Sequence, residues 1–212
     1  MIAGVGPGLG MSLARRFGKG GRVALLVRDD ATGAAFVGEL LEQGIEASAY
    51  VADLSDESSL RHALRAVRAT DGEPDVVVYN ASLGVDVAPL EVTAAQVHEA
   101  LALGTLGALA TYQELFPTMR ERGSGTFVVT GSGVSLHPWP GTIALTLDKA
   151  ALRAFALAAA RESKGSGVHV GTVTIDGLLG RPGFEPDAVA ETFWRFHSQP
   201  ADSWDAEVVH RP

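Results

Sequence analysis

The 212-residue chain has no cysteine, which excludes disulfides, thiolate nucleophiles and cysteine-ligated zinc. It also lacks a surplus of basic charge. The formal net charge is −8, whereas a surface that grips nucleic-acid phosphates needs clustered Lys and Arg, so nucleic acid is not an expected partner. Long apolar runs are missing as well. The longest, near Ala154–Ala160, is far too short to span a bilayer. Gly4, Gly6, Gly8 and Gly10 break up the segment where a signal peptide would need its apolar stretch. A cytoplasmic protein with no membrane partner is the expectation. The six histidines are scattered, with no His-Glu-x-x-His and no paired-carboxylate spacing, so no metal site is expected. Thr130 stands where a Gly-x-Ser-x-Gly elbow around Ser132 would need glycine, which argues against an α/β-hydrolase. No Gly-x-x-x-x-Gly-Lys-Ser/Thr phosphate loop, internal repeat or low-complexity tract occurs.

What the sequence does have is alternation. Arg22–Val27, Ala47–Ala52, Asp75–Tyr79, Thr126–Thr130 and Val168–Ile175 are short, rich in Val, Ile and Thr, and bounded by turn residues, as buried strands are. Helical periods lie between them. Leu60, Leu64 and Val67 recur at i, i+4, i+7, and Leu101, Ala108, Leu115 and Met119 line a longer helix. That helix opens on Thr93-Ala94-Ala95-Gln96, a capping box. Such alternation predicts an α/β fold: a Rossmann-type, doubly wound, mostly parallel sheet with helices on both faces. The first strand is unusually short, because only Met1, Ile2 and Ala3 precede the glycines. We expect a dinucleotide-binding domain over residues 1–179 and, over 180–212, a tail packed on it: a helix from Pro186 to about His197, then an irregular arm.

Gly4, Gly6, Gly8, Leu9 and Gly10 form a glycine-rich turn between the first strand and the first helix. Glycines there admit positive φ and let the backbone approach a pyrophosphate, which then rests on the helix N-terminus. The spacing Gly4-x-x-x-Gly8-x-Gly10 resembles the turn of the short-chain dehydrogenase/reductase family, with Ala3 in place of the usual Thr. Further family features follow in order: Asp53-Leu54, Asn80-Ala81-Ser82, Ser132 and Lys149. The resemblance runs from Ile2 to about Leu179 and implies a nicotinamide dinucleotide along Asp53, Leu54, Asn80, Ala81, Lys149, Gly177 and Leu179. At the end of the second strand an acid would take a ribose hydroxyl and favour NAD. Arg28 occupies that neighbourhood and suits a 2′-phosphate, so NADP is preferred to NAD; the alternative leaves Arg28 solvated and gives the ribose to Asp29 or Asp30.

Carbonyl reduction by hydride needs a proton donor at the oxygen. The resemblance implies a Ser, a Tyr four residues before a Lys, and an Asn on the preceding helix. Ser132 and Lys149 fill two of those places, whereas Leu145 stands at the Tyr position and Gly104 at the Asn position, and the family's Pro-Gly is Asp176-Gly177. An atypical oxidoreductase of a small carbonyl or alcohol is therefore expected, with Ser132, Lys149 and the loop residue His137 as catalytic candidates. A non-catalytic dinucleotide-binding sensor or assembly subunit is the alternative. His137 beside Trp139 and Pro140 also reads as a packing or solvated residue, and Lys149 as an exposed helix lysine. The helix assigned to Asp148–Glu162 carries Ala151, Ala154 and Ala158, and the one before it Gly104, Gly107 and Ala108. The family makes dimers and tetramers through these two helices, which implies a homodimer or homotetramer; packing within one chain is the other account. Trp194 and Trp204 are expected over the pocket or a neighbouring subunit.

Overall fold

The computed structural model describes residues 1–211. Seven parallel strands form one sheet in the order β3-β2-β1-β4-β5-β6-β7. They are β1 (Ile2–Ala3), β2 (Val23–Val27), β3 (Ala47–Val51), β4 (Val76–Tyr79), β5 (Gly125–Ser132), β6 (Val168–Ile175) and β7 (Glu207–His210). The helices are α1 (Leu9–Gly18), α2 (Asp30–Glu42), α3 (Glu57–Thr70), α4 (Ala94–Leu101), α5 (Gly107–Arg122), α6 (Ile143–Glu162) and α7 (Pro186–His197). Alternating strand residues feed two cores. Ala3, Leu26, Val77, Tyr79, Phe127 and Val129 face α3, α5 and α6, while Ile2, Leu25, Val78, Val128 and Val173 face α1, α2 and α7. The doubly wound architecture is the expected one.

Strand order reverses between β1 and β4. Ile2 pairs with Leu25 of β2 on one side and with Val78 of β4 on the other. From that point the chain winds outward in both directions, which leaves a crevice over the carboxyl ends of the strands, the usual ligand position in open α/β sheets. Brevity of β1 does not weaken its role, because both of its residues are paired on both edges.

Three expectations need correction. The tail is not an irregular arm after α7: Glu207–His210 adds a parallel strand beside β6, with Thr172 opposite Glu207. Side-chain bonds fasten that edge, since Arg153 of α6 grips Glu207 at 2.8, 3.1 and 2.6 Å and the Thr174 hydroxyl donates to it at 2.6 Å. Second, α6 begins at Ile143, not near Asp148, so Leu145 and Lys149 lie one turn apart on one helix. Third, the long helix after Thr93 keeps its capping box but is broken by a π turn at Ala102–Leu106.

The two tail tryptophans do not cover the crevice. Trp194 packs edge-on against Phe17 with Arg16 over its ring, and Trp204 stacks on His169 at 4.9 Å. Both settle the C-terminal residues on their own chain. No helix is long and apolar enough to cross a membrane, and no cluster of potential metal ligands occurs among the described residues.

Candidate active site

The crevice is a cleft of about 530 Å³. The glycine turn forms its floor. Gly4 has φ +83°, and a Cβ there would stand 2.7 Å from the backbone nitrogen of Ala81; a Cβ on Gly10 would stand 2.8 Å from Val5 Cα. Only glycine folds so tightly at those two places. Gly6 and Gly8 differ: no atom lies within 4 Å of where a Cβ would project. Their faces are bare backbone open to the cleft. Helix α1 starts at Leu9 without a side-chain cap; the Met11 and Ser12 N–H groups donate back to the Gly6 and Gly8 carbonyls, which leaves the N–H groups of Leu9 and Gly10, on the cleft wall, at the positive end of the helix dipole. This cradle fits a pyrophosphate, because its donors are fixed backbone groups and a side chain would fill the space.

Asn80 locks the cradle to the sheet. Its Nδ2 donates to the Gly4 carbonyl at 3.0 Å, its Oδ1 accepts from the Thr130 hydroxyl at 2.9 Å, and its backbone N–H donates to Ala3 at 2.8 Å. One side chain thus ties β1, β4 and β5 together at the switch point.

At the β2–β3 end the cleft is lined by Arg28, Asp53 and Leu54. Asp29 does not line it and is otherwise engaged: its carboxylate accepts from the Thr32 N–H at 2.8 Å and the Thr32 hydroxyl at 2.9 Å, capping α2. Those bonds hold its pKa below the ordinary value. Asp53 accepts from the Ser55 N–H and hydroxyl at 2.9 and 2.6 Å, which also favours its charged form.

At the β4–β6 end the lining includes Ala81, Leu83, Ser132, Leu145, Lys149, Gly177 and Leu179. Lys149 is not an exposed helix lysine. It is 3% exposed, and its Nζ donates to the Thr130 carbonyl at 2.8 Å. Burial pulls the ammonium pKa down and the neighbouring Asp148 pulls it back up. Ser132 ends β5 half-buried, its backbone extended into the cleft wall. Every residue expected at the cofactor lines this one cleft, and of the three catalytic candidates Ser132 and Lys149 do. His137 does not: it is exposed on the loop after β5 and absent from the cleft wall, so it is withdrawn as a proton donor.

No tyrosine lines the cleft among the described residues. Tyr50 donates to Asp71 at 2.8 Å, Tyr79 to the Leu103 carbonyl at 2.6 Å, and Tyr112 packs between Phe116 and Phe127. Sequence reasoning missed several wall residues, notably Leu103, Thr130, Ile175 and Leu178. Thr130 and Ile175 were readable as strand ends, which is where such clefts open; Leu103 enters only through the π turn.

The profile of the short chain dehydrogenase family matches residues 1–178. The chain belongs to the short-chain dehydrogenase family. Among solved structures of this family, a metagenomic short-chain oxidoreductase in complex with NADP superposes with a TM-score of 0.90 at 26% identity, covering 100% of this chain and 97% of that one. A short-chain dehydrogenase from Rhodopseudomonas palustris gives a TM-score of 0.88 at 27% identity over the same shares. Human 17-beta-hydroxysteroid dehydrogenase type 1 is 32% identical over 161 residues, which are 71% of this chain and 48% of that protein. The Mycobacterium tuberculosis protein named "Probable oxidoreductase EphD" is 29% identical over 174 residues, or 81% of this chain and 29% of that one. The chain therefore spans less than a third of the mycobacterial relative and about half of the human one.

Proposed function

We propose that this chain is an NADP(H)-dependent oxidoreductase acting on a small, apolar carbonyl or alcohol. The observation that carries the reading is one cleft at the switch point, bounded by the bare glycine cradle and Arg28 at one end and by Ser132 and Lys149 at the other. With Asp29 committed to capping α2 and Arg28 on the cleft wall, the residue that the end of β2 offers to the adenosine ribose is a guanidinium, while the Asp53 carboxylate comes from the end of β3 and is engaged by Ser55. That favours a 2′-phosphate and hence NADP over NAD. The solved relative that carries NADP supports the same assignment.

When bound, the dinucleotide supplies the hydride; the chain supplies orientation and the proton. Leu83, Leu103, Leu145, Leu178 and Leu179 line the cleft, so they exclude water and select an uncharged substrate. The Ser132 hydroxyl donates a hydrogen bond to the substrate oxygen. Of the titratable groups lining the cleft, Arg28 and Asp53 sit at the β2–β3 end and Lys149 alone at the other. Lys149 is therefore the group that holds a proton where the oxygen becomes an alkoxide. Burial, which lowers its pKa, makes the ammonium a stronger acid, as an acid poised nearer neutrality should be. The same cation also suits the ribose hydroxyls of the nicotinamide half.

A second reading has its own observation. With Leu145 in the wall and no tyrosine lining the cleft, the chain is a dinucleotide-binding protein without turnover, a sensor or assembly subunit. One experiment separates the two: titrate NADPH by fluorescence, then follow its oxidation with panels of apolar ketones and aldehydes. Binding with turnover that Ser132→Ala reduces about a hundredfold or more supports the oxidoreductase. Binding without turnover across the panels gives the protein to the second reading, and no binding removes both.

A further inference from the structure

Directly before Lys149 on α6 lies a second buried titratable side chain, which does not line the cleft. Asp148 has no exposed surface. Its Oδ1 accepts from the Thr105 N–H at 2.9 Å and from the Thr105 hydroxyl at 2.8 Å, and that hydroxyl also lies 3.1 Å from the Asp148 carbonyl. Its Oδ2 is buried with no hydrogen-bond partner among the described residues. A buried carboxyl oxygen left so costs free energy and calls for an explanation.

The space holding that carboxylate is cleared for it. A Cβ on Gly104 would run into both carboxylate oxygens, so the bare α-carbon of the π turn is what admits the Asp148 side chain. The turn itself is held from the other side, where Tyr79 donates to the Leu103 carbonyl at 2.6 Å and Gly107 leaves room for the Tyr79 hydroxyl. Thr105 and Gly104 therefore sit between β4 and α6 with Asp148 as the bridge. Neighbouring helix residues diverge by about 100°: Asp148 points at the π turn, while Lys149 points at β5 and the cleft.

The charges around Lys149 are few. From β4 comes the phenol of Tyr79; from the π turn only neutral Thr105; from β5 neutral Thr130 and Ser132. Strand β6 and the turn Gly133–Ser135 carry no acid, and Asp176, which follows β6 beside Gly133, is paired with Arg211. On α4, which packs against α6, His98 and Glu99 are exposed. Arg153 on α6 is already paired with Glu207. Among the described residues Asp148 is the only acid with no exposed surface; burial pushes its pKa up, and the adjacent Lys149 ammonium, ahead of the Thr105 bonds, pulls it back down.

We infer that Asp148 is a positioning residue for Lys149: entering from α6 the volume that Gly104 leaves empty, its carboxylate locks α6 onto the π turn and is the counter-charge that keeps Lys149 cationic against the cleft. The inference rests on the dinucleotide reading above, because a bound NADPH is the probe that reports the cation. Without a counter-charge, a buried lysine sheds its proton more readily.

The test is the pH dependence of NADPH affinity between about pH 7 and 10, measured by fluorescence on the intact chain. In the wild type, affinity falls as Lys149 loses its proton. In the near-isosteric Asp148→Asn, the midpoint of that fall moves down by about one to three pH units, and in Lys149→Met the dependence disappears. A merely structural role for Asp148 would lower affinity or melting temperature at all pH values and leave the midpoint in place. A second pair of variants with matched packing keeps the test decisive if Asp148→Asn does not fold. Gly104→Asp with Asp148→Ser returns the charge to the same volume from the other helix and keeps the wild-type midpoint, while Gly104→Asn with Asp148→Ser shows the lowered one. Equal midpoints in that pair, or an unmoved midpoint in Asp148→Asn, overturn the inference and leave the cofactor assignment standing. A wild type that binds no NADPH overturns the cofactor assignment and the inference with it.

Discussion

At the scale of single residues, the glycine turn divides into positions that the fold needs and positions that the ligand needs. Gly10→Ala forces a Cβ to within 2.8 Å of Val5 Cα; we expect it to destabilise the chain by about 1–3 kcal/mol, read as a lower midpoint in urea. Gly8→Ala meets nothing within 4 Å, so its melting temperature should stay near that of the wild type. Its methyl group would project into the cradle instead, and NADPH affinity should fall about tenfold or more. Arg28 carries a different prediction. Arg28→Ala should weaken NADPH by roughly ten- to a hundredfold, the range expected for lost charge-assisted hydrogen bonds, and leave NADH nearly unchanged. Equal losses for both dinucleotides would show that Arg28 does not read a 2′-phosphate.

At the scale of elements, the edge strand β7 depends on one carboxylate. Glu207 is held by Arg153 and by the Thr174 hydroxyl, and the Arg153 bond, ahead of Thr174, holds its pKa below the ordinary 4.5. A carboxylate with a depressed folded pKa contributes stability that is fully present above its unfolded value and is lost as pH falls through the folded one. Glu207→Gln should therefore cost roughly 1–3 kcal/mol at neutral pH. The gap to wild type should narrow below about pH 4.5, measured by denaturant unfolding at several pH values. A gap that stayed constant with pH would mean that shape and not charge fastens β7. The π turn is the other element with a consequence, since it delivers Leu103 to the cleft wall and Thr105 to Asp148.

For the whole molecule, the tail closes the face of the sheet that carries α1 and α2. His169 on β6 is stacked between Phe196 at 3.9 Å and Trp204 at 4.9 Å, and His197 shares a 2.8 Å hydrogen bond with Thr126. Burial lowers the pKa of both rings from the ordinary 6.5. The folded chain therefore takes up protons at these rings at lower pH than the unfolded chain does, so stability drops as pH falls below 6.5, by up to about 1.4 kcal/mol per pH unit for each histidine. Unfolding in urea between pH 8 and 5 should show that slope, and His169→Phe should reduce it. Small residues of the π turn and α5 are partly spent inside the chain, as Gly104 and Gly107 show. Leu106 and Leu147 nevertheless remain 49% and 44% exposed, and we propose that this face joins copies of the chain into a homodimer or homotetramer. Leu147→Glu should shift the mass measured by light scattering toward monomer.

The sequence by itself determined the architecture and the floor of the cleft. Strand residues buried on both faces, helical periods between them and glycines after the first strand are local patterns, and local sterics and burial decide what they become. It also marked Leu145 and Gly104 as departures from the family's pattern. Tertiary structure decided what surrounds those two positions, because contacts across the sheet have no signature in one dimension. Asp29 turned out to cap a helix, leaving the cleft to Arg28. His137 faced outward, and the supposed arm became a strand because Arg153 and Thr174 wait for Glu207 on separate elements. Most of all, the empty position at Gly104 and the carboxylate at Asp148 lie 44 positions apart in the sequence and occupy one volume only when α6 packs on the π turn.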